Sequence, residues 1–202
     1  MAASETREPR QTRAIEKKNK IIEAGFKLFC EKGYHYTNTN EIAKEAGVST
    51  GIVYHYFKDK KAILLATVGQ MVPSFDHEII NKLCVSKDRR ELEIFLSETI
   101  DRDIDFHKLF KAAHEEFLTM CHSDPDIAEY MKGFQDKGLS RIADTIVSNG
   151  STISNPYEKV DIIYHMIDQY CDAVVFSKRE KIDYNIMKEL LIKNIMNLLY
   201  IN

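Results

Sequence analysis

Between residues 49 and 56 the chain concentrates small and hydrogen-bonding side chains, the groups that contact bases and phosphates in nucleic acids. Val53 and Phe57 lie four residues apart, which is the spacing of the inward side of a short helix. The residues left for the outer side are Ser49, Thr50, Gly51, Tyr54, His55 and Tyr56. Small polar residues followed by aromatic hydrogen-bonders suit the recognition helix of a helix-turn-helix.

The segment before this helix carries the signals that would position it. Asn38 or Thr39 can cap a helix, and Glu41 follows Asn38 by three residues, as in a capping box. Gly47 supplies a left-handed residue that ends this helix at low cost. These features predict one helix, a tight turn and a second helix whose cap is Ser49.

A supporting helix is predicted on each side of this pair. Residues 11–32 form the first, whose apolar stripe consists of Ile15, Ile22, Phe26 and Phe29. Asp59 can cap the helix that follows the recognition helix. We expect the stripe to pack on the inward side of the helix-turn-helix. Residues 1–10 indicate a flexible arm, and Arg7, Arg10 and Arg13 make the chain basic just before and at the start of the first helix.

Taken together, this region resembles the DNA-binding signature of TetR-family transcriptional regulators. The resemblance is carried by Gly33-Tyr34, Thr37, Ile42-Ala43, Ala46-Gly47-Val48-Ser49, Gly51, Tyr54-His55-Tyr56-Phe57 and Lys60. It covers roughly the first third of the chain. The remainder is similar to the family in length and in all-helical character.

The resemblance implies a role for each residue of the DNA site. Lys60, Tyr54 and Tyr56 match positions that contact the DNA backbone. Asn38 and Thr39, at the start of the second helix, are expected to touch phosphates as well. The positions that match the groove-facing set are Ser49, Thr50, Gly51 and His55. Many relatives carry lysine where Thr50 stands, so this chain uses less charge at that position.

The resemblance also implies an all-α fold of about nine helices in two domains. Residues 11–58 would be the helix-turn-helix domain, and residues 59–202 the effector-binding and dimerisation domain. The helix at 59–72 would link them, and Pro73 would kink or end it. A two-fold dimer would present two recognition helices to successive major grooves of a near-palindromic operator.

The two C-terminal helices are apolar on more than one side, and a second apolar side is easiest to bury against another copy of the chain. We therefore expect a homodimer, as the resemblance also implies. The predicted interface residues are Ile162, Met166, Tyr170, Ala173, Met187, Leu190, Leu191 and Ile195.

Aromatic residues are dense in the middle of the chain, where the family binds small molecules. An ordinary helical core explains any one of them, but as a set they favour a small, largely apolar or aromatic effector. The candidate effector-binding residues are Phe75, Phe95, Phe106, Phe110, His114, Phe117, Tyr130, Phe134, Tyr164 and Asp168.

Composition and charge bound the class of protein. Residues 1–61 hold twelve Lys and Arg against eight Asp and Glu, and the remainder holds sixteen against twenty-three, so a basic N-terminal part precedes an acidic body. No apolar run approaches the length of a membrane span, and the N-terminus lacks the apolar core of a signal peptide. We expect a cytoplasmic protein with reduced cysteines.

Enzymatic and metal-binding functions find little support. His107 and His114 are seven residues apart and Asp161 and His165 are four apart, so either pair could hold a metal. However, the Glu-x-x-His signature of di-iron bundles and the common hydrolase and phosphate-binding motifs are absent from the sequence. We expect no catalytic residues, no metal and no cofactor.

The favoured hypothesis is a sequence-specific transcriptional regulator, a repressor released from its operator by an effector. The alternative is a DNA-bound protein-interaction factor of the same fold without a small-molecule effector. A substantial pocket would favour the first, and a closed core with an exposed apolar patch would favour the second.

Overall fold

The computed structural model describes residues 8–71, 88–149 and 153–200, and these ranges form nine α-helices and no strand. The first four helices are α1 (Glu8–Lys32), α2 (Thr39–Glu45), α3 (Thr50–Tyr56) and α4 (Lys60–Met71). The other five are α5 (Arg89–Leu109), α6 (Lys111–Ser123), α7 (Pro125–Ser148), α8 (Pro156–Val175) and α9 (Tyr184–Tyr200). The all-α class predicted from the sequence is confirmed.

The described residues divide into two compact units. Those within 1–73 and 112–130 form the first unit, and those within 74–111 and 131–202 form the second. The predicted domains, 11–58 and 59–202, follow the order of motifs along the chain and stay a prediction. Compactness instead groups α4, most of α6 and the start of α7 with the helix-turn-helix.

The core of the first unit is the packing of α1 on α4. Ile21, Ile22 and Phe29 of α1 and Ile63 of α4 are all buried. Gly25 allows the two helices to approach, because a Cβ there would lie 2.7 Å from the Cγ2 atom of Ile63. Asp59 caps α4 as predicted, since its Oδ1 accepts a hydrogen bond from the Ala62 N–H at 2.7 Å.

The predicted stripe of α1 needs a correction at its first turns. Ile15 is 54% exposed and Phe26 is half-buried, whereas Ile21, which the stripe omitted, is fully buried. The helix also begins at Glu8 rather than residue 11. Residues 1–7 of the predicted arm, and Pro73, lie outside the described residues.

The core of the second unit is formed by α5, α8 and α9. Its buried residues are Leu92, Phe95, Leu96, Ile100, Ile104, Ile167, Tyr170, Cys171, Leu191, Ile195, Met196 and Leu199. Helix α5 continues as far as Leu109. The reason is that Asp103 and Ile104 are buried and extend the inward stripe by another turn.

This core corrects part of the predicted dimer interface. Tyr170, Leu191 and Ile195 are buried within the chain itself, so they are not surface residues that a second copy could cover. Met166 and Ala173 are half-buried. The predicted residues that remain exposed are Ile162, Met187 and Leu190, and the neighbouring Ile186 is exposed with them.

Among the described residues, none of the helices combines the length and apolarity that spanning a bilayer requires.

Candidate nucleic-acid interface

Helix α2 begins at a complete capping box. The Asn38 Oδ1 accepts hydrogen bonds from the N–H groups of Asn40 and Glu41, both at 3.1 Å. The Glu41 carboxylate in turn accepts from the Asn38 N–H at 3.0 Å. Its pKa is lowered by the Lys32 ammonium and, next, by this backbone bond. The predicted cap is confirmed, with Asn38 rather than Thr39 in the capping position.

The turn between α2 and α3 depends on Gly47, which has a φ of +66°. In this left-handed conformation the chain reverses, and the Val48 N–H donates to the Ala43 carbonyl at 2.9 Å. Ser49 then occupies the cap position of α3, but its side chain makes no capping hydrogen bond. Ser49 is thus the cap residue as predicted, but it joins the helix through its carbonyl, which accepts hydrogen bonds from the N–H groups of Ile52 and Val53.

Helix α3 divides into the two sides that its spacing predicts. Val53 is fully buried, and Phe57 just after the helix is 5% exposed. The opposite side carries the hydrogen-bonding groups, with Gly51, Tyr54 and His55 exposed and Thr50 and Tyr56 half-buried. The rings of His55 and Tyr56 meet edge-on at 5.1 Å between centroids.

Two hydrogen bonds join the outer sides of α2 and α3. The hydroxyls of Thr39 and Tyr54 lie 3.1 Å apart, and the Thr50 hydroxyl donates to the Asn40 Oδ1 at 2.9 Å. The structure therefore brings the predicted residues of both helices into one polar surface. Asn40 belongs to this surface and was missed by sequence reasoning. The signal that could have found it is its polar type in the first turn of α2, next to Thr39.

Lys60 does not project from the unit as a phosphate contact would. Its ammonium donates to the carbonyls of Tyr34 and Thr37, at 2.7 and 2.8 Å, and lies 4.1 Å from the centre of the Tyr34 ring. Partial burial lowers the pKa of Lys60, against the opposing charges of Glu116 and Glu41. Lys60 thus holds the loop before α2, and the exposed cation nearest to it in sequence on the α3 side is Lys58.

The predicted effector residues fall into both units. Phe75 lies outside the described residues, His114, Phe117 and Tyr130 belong to the first unit, and Phe95 is part of the core of the second. The half-buried members of the second unit are Phe106, Phe110, Phe134, Tyr164 and Asp168. Within it, Phe106 and Phe110 stack with their centroids 6.3 Å apart.

Acidic side chains accompany these aromatics in the second unit. Asp103 is buried, and desolvation raises its pKa against the opposing charge of His107 and a weak hydrogen bond from the Cys171 thiol at 3.5 Å. The His107 Nδ1 lies 3.2 Å from a carboxylate oxygen of Asp172. Burial, followed by Asp168, raises the pKa of the Tyr164 phenol, whose oxygen accepts a hydrogen bond from the Gln135 amide. Sequence reasoning named only Asp168 among these carboxylates.

Sequence comparison points to one family of regulators. The family model "Bacterial regulatory proteins, tetR family" matches residues 21–67. The regulator HbdR of Aromatoleum sp. is 45% identical over 64 residues, which are 32% of this chain and 28% of that protein. The fatty acid metabolism regulator protein of Bacillus subtilis is 27% identical over 191 residues, 88% of this chain and 94% of that protein.

Solved structures share the fold along most of the chain. A Mesorhizobium loti structure described as a TetR-family regulator has a TM-score of 0.71 at 18% identity, over 93% of this chain and 96% of that one. FadR of Bacillus subtilis, in complex with stearoyl-CoA, has a TM-score of 0.60 at 18% identity, over 90% and 99%. A Saccharomonospora viridis regulator in complex with choline has a TM-score of 0.64 at 24% identity, over 90% and 96%.

The capped α2, the glycine turn and the polar outer side of α3 define a helix-turn-helix DNA-binding protein. The family match covers these same helices, so residues 21–67 form a helix-turn-helix of the kind found in the TetR family of bacterial transcriptional regulators.

Proposed function

We propose that the chain is a repressor that binds a near-palindromic operator as a homodimer and leaves it when a small molecule binds. The observation that carries the DNA-binding part is the polar surface on which Thr39 pairs with Tyr54 and Asn40 with Thr50. These two bonds fix α2 and α3 in one arrangement, so the hydrogen-bonding groups on their outer sides are positioned to contact DNA together.

Each residue of this surface has a proposed role. Asn38, Thr39, Tyr54 and Tyr56 contact phosphates, because they combine hydroxyl and amide groups with the N-terminal end of α2 or the outer side of α3. The groups for base edges come from Ser49, Thr50, Gly51, His55 and Asn40. Lys60 is proposed to support them from inside, and Lys58 to supply the exposed charge.

The proposed dimer interface is the exposed apolar surface of α8 and α9. Ile186, Met187 and Leu190 of α9 and Ile162 of α8 are between 37% and 56% exposed. Large apolar side chains exposed at adjacent positions mark a protein contact. A two-fold dimer would repeat the recognition helix, with half-sites about one helical turn of DNA, roughly 34 Å, apart.

The proposed effector is small and largely apolar or aromatic, and it binds within residues 59–202. The aromatics of the second unit support this, and Asp103, Asp168 and Asp172 oppose an anionic head group there. Two structural relatives were solved with ligands of different charge, stearoyl-CoA and choline. We therefore expect that a neutral or cationic apolar compound raises the melting temperature of the chain and that an acyl-CoA does not.

Selection of duplexes from a random DNA library by the purified chain tests the proposal. The expected product is an inverted repeat, and Tyr54→Ala should bind it about tenfold more weakly without loss of folded structure. If the wild-type chain enriches no sequence, or the folded variant binds as well as the wild type, the DNA-binding assignment is wrong.

An interaction factor without an effector is the second candidate, and a compound screen separates the two. Release of the selected duplex by any compound that also raises the melting temperature supports the ligand-responsive repressor. A partner protein that binds the DNA-bound chain, with no such compound found, supports the interaction factor.

A further inference from the structure

The loop between α1 and α2 is held by charged side chains on two sides. The Glu116 Oε2 atom of α6 accepts hydrogen bonds from the N–H groups of Tyr34, at 2.5 Å, and His35, at 3.3 Å. The Lys60 ammonium donates to the carbonyls of Tyr34 and Thr37. The loop therefore offers its amides to an anion and its carbonyls to a cation, and both ionic partners belong to other helices of the first unit.

Gly33 makes the approach of Glu116 sterically feasible. Its φ is +86°, a conformation that other residues rarely adopt. A Cβ at this position would also lie 2.7 Å from Oε2 and 3.0 Å from Oε1 of Glu116. Glycine is thus needed here both for the backbone and for the space that the carboxylate occupies.

The held loop leads directly into the DNA-contacting end of α2. Thr37 is buried, and its hydroxyl donates to the Gly33 carbonyl at 2.8 Å, which closes the loop on itself. The next residue, Asn38, is the cap of α2, and Thr39 begins the helix. A displacement of the loop would therefore move the groups proposed to contact phosphate.

Glu116 lies on a segment that is continuous at both ends with the second unit. The first unit includes residues 112–130, so the chain passes between units at the start of α6 and again within α7. Lys61 at the start of α4 binds the same segment, through Asp124 at 3.0 Å and Asp126 at 2.7 Å. The segment is thus tied to the helix-turn-helix side by two separate sets of ionic contacts.

We propose that Glu116 is a positioning residue for DNA binding, which fixes residues 33–38 and thereby the phosphate-contacting end of α2. The inference rests on the DNA-binding function proposed above. The proposal gives a residue of α6, a helix outside the helix-turn-helix of α2 and α3, a role in operator affinity.

Whether Glu116→Ala strengthens or weakens DNA binding distinguishes a positioning role of Glu116 from simple repulsion between its charge and the phosphates. Removing an acidic side chain near DNA should strengthen binding, because repulsion of the phosphates falls. If Glu116 positions α2, Glu116→Ala should instead weaken binding of the duplex selected by the wild type, by about tenfold. Glu115 is exposed and adjacent in sequence, so Glu115→Ala makes the same charge change as a matched control. Equal or tighter binding by folded Glu116→Ala overturns the proposal.

A second variant and a second measurement keep the test independent of folding and of the operator. Glu116→Gln retains an oxygen acceptor, so its affinity should lie within about threefold of the wild type. A loss as large as that of the alanine variant contradicts the acceptor role. Amide hydrogen exchange at Tyr34 and His35 should accelerate in Glu116→Ala and not in Glu115→Ala. If the wild type enriches no duplex, the proposed function fails, while the exchange rates still decide whether Glu116 holds the loop.

Discussion

The hydrogen bond between Thr50 and Asn40 determines what these two residues can offer to DNA. Because the Thr50 hydroxyl donates to the Asn40 Oδ1, the Asn40 amide nitrogen keeps its hydrogens for another partner. Thr50 keeps its methyl group and an acceptor lone pair. An amide donor suits O6 or N7 of guanine or O4 of thymine, and a methyl group suits the thymine methyl.

Thr50→Val should therefore lower operator affinity and relax sequence preference. Valine has nearly the same shape as threonine but no hydroxyl. The Asn40 amide therefore loses the hydrogen bond that orients it, and position 50 loses its hydrogen-bond acceptor. We expect about a tenfold loss of affinity for the selected duplex, measured by fluorescence anisotropy. Thr119→Val is the matched control, because the Thr119 hydroxyl is exposed and binds only its own helix at the Glu115 carbonyl. Similar losses in both variants would contradict a specific role for Thr50.

Asp103 makes a pH-dependent contribution to stability. Desolvation raises its pKa above the ordinary value of 3.8, so the folded chain binds this proton more tightly than the unfolded chain does. Its contribution is greatest below pH 3.8 and declines as the pH rises through the raised pKa. The unfolding free energy of the wild type should therefore fall relative to that of Asp103→Asn as the pH increases above about 4.

Urea unfolding of both proteins across this pH range measures the difference. Asp105→Asn on the same helix is the control, since Asp105 is exposed and its ion pair with Lys108 lies at the surface. A difference between wild type and Asp103→Asn that does not change with pH would show that Asp103 is not the titrating group.

At the scale of the elements, α1 and α4, the two helices that support the helix-turn-helix, pack closely on each other. Gly25→Ala would put a Cβ 2.7 Å from Ile63, and we expect it to lower the unfolding free energy by about 1–3 kcal/mol. Gly133→Ala on α7 is the opposite case, because no atom lies within 4 Å of the added Cβ. It should raise stability by roughly 0.5–1 kcal/mol through helix propensity. Chemical denaturation of both variants checks the two signs, and destabilisation by both would contradict the packing argument.

Local signals in the sequence were sufficient for the starts of α2 and α4 and for the turn between α2 and α3. Asn38, Gly47 and Asp59 act as predicted because a cap or a positive φ depends on a few neighbouring residues. Contacts with partners distant in the sequence were not predicted. Lys60 was predicted to contact a phosphate of the DNA. Its neighbours in the sequence do not indicate that its ammonium donates to the carbonyls of Tyr34 and Thr37.

The same limit explains the errors in the second unit. Apolar stripes on α8 and α9 predicted the right helices but not which stripe faces inward. Tyr170, Leu191 and Ile195 are buried against α5, whereas Leu190, one residue from Leu191, is 53% exposed. Periodicity identifies two adjacent apolar faces, and only the placement of α5 decides between them.

At the scale of the whole molecule, the exposed side of α9 predicts the oligomeric state. Leu190→Asp should convert the proposed dimer into a monomer, because it buries a charge in an apolar interface. Light scattering after gel filtration measures the mass, and operator affinity should fall by at least about a hundredfold when the two half-sites are bound independently. Leu118→Asp is the control, since Leu118 is 43% exposed on α6 and lies outside the proposed interface. A dimeric Leu190→Asp variant would disprove this interface.

The contact between Gly33 and Glu116 has an evolutionary consequence. Glu116 binds the backbone N–H of Tyr34, which lies 82 positions earlier in the chain, and Gly33 cannot gain a side chain while the Glu116 carboxylate stays in place. A side chain at position 33 would displace the carboxylate, and loss of the carboxylate would leave two loop amides without their acceptor. Substitutions at 116 should therefore be inherited together with changes in residues 33–37, so that the two segments covary among descendants of this chain.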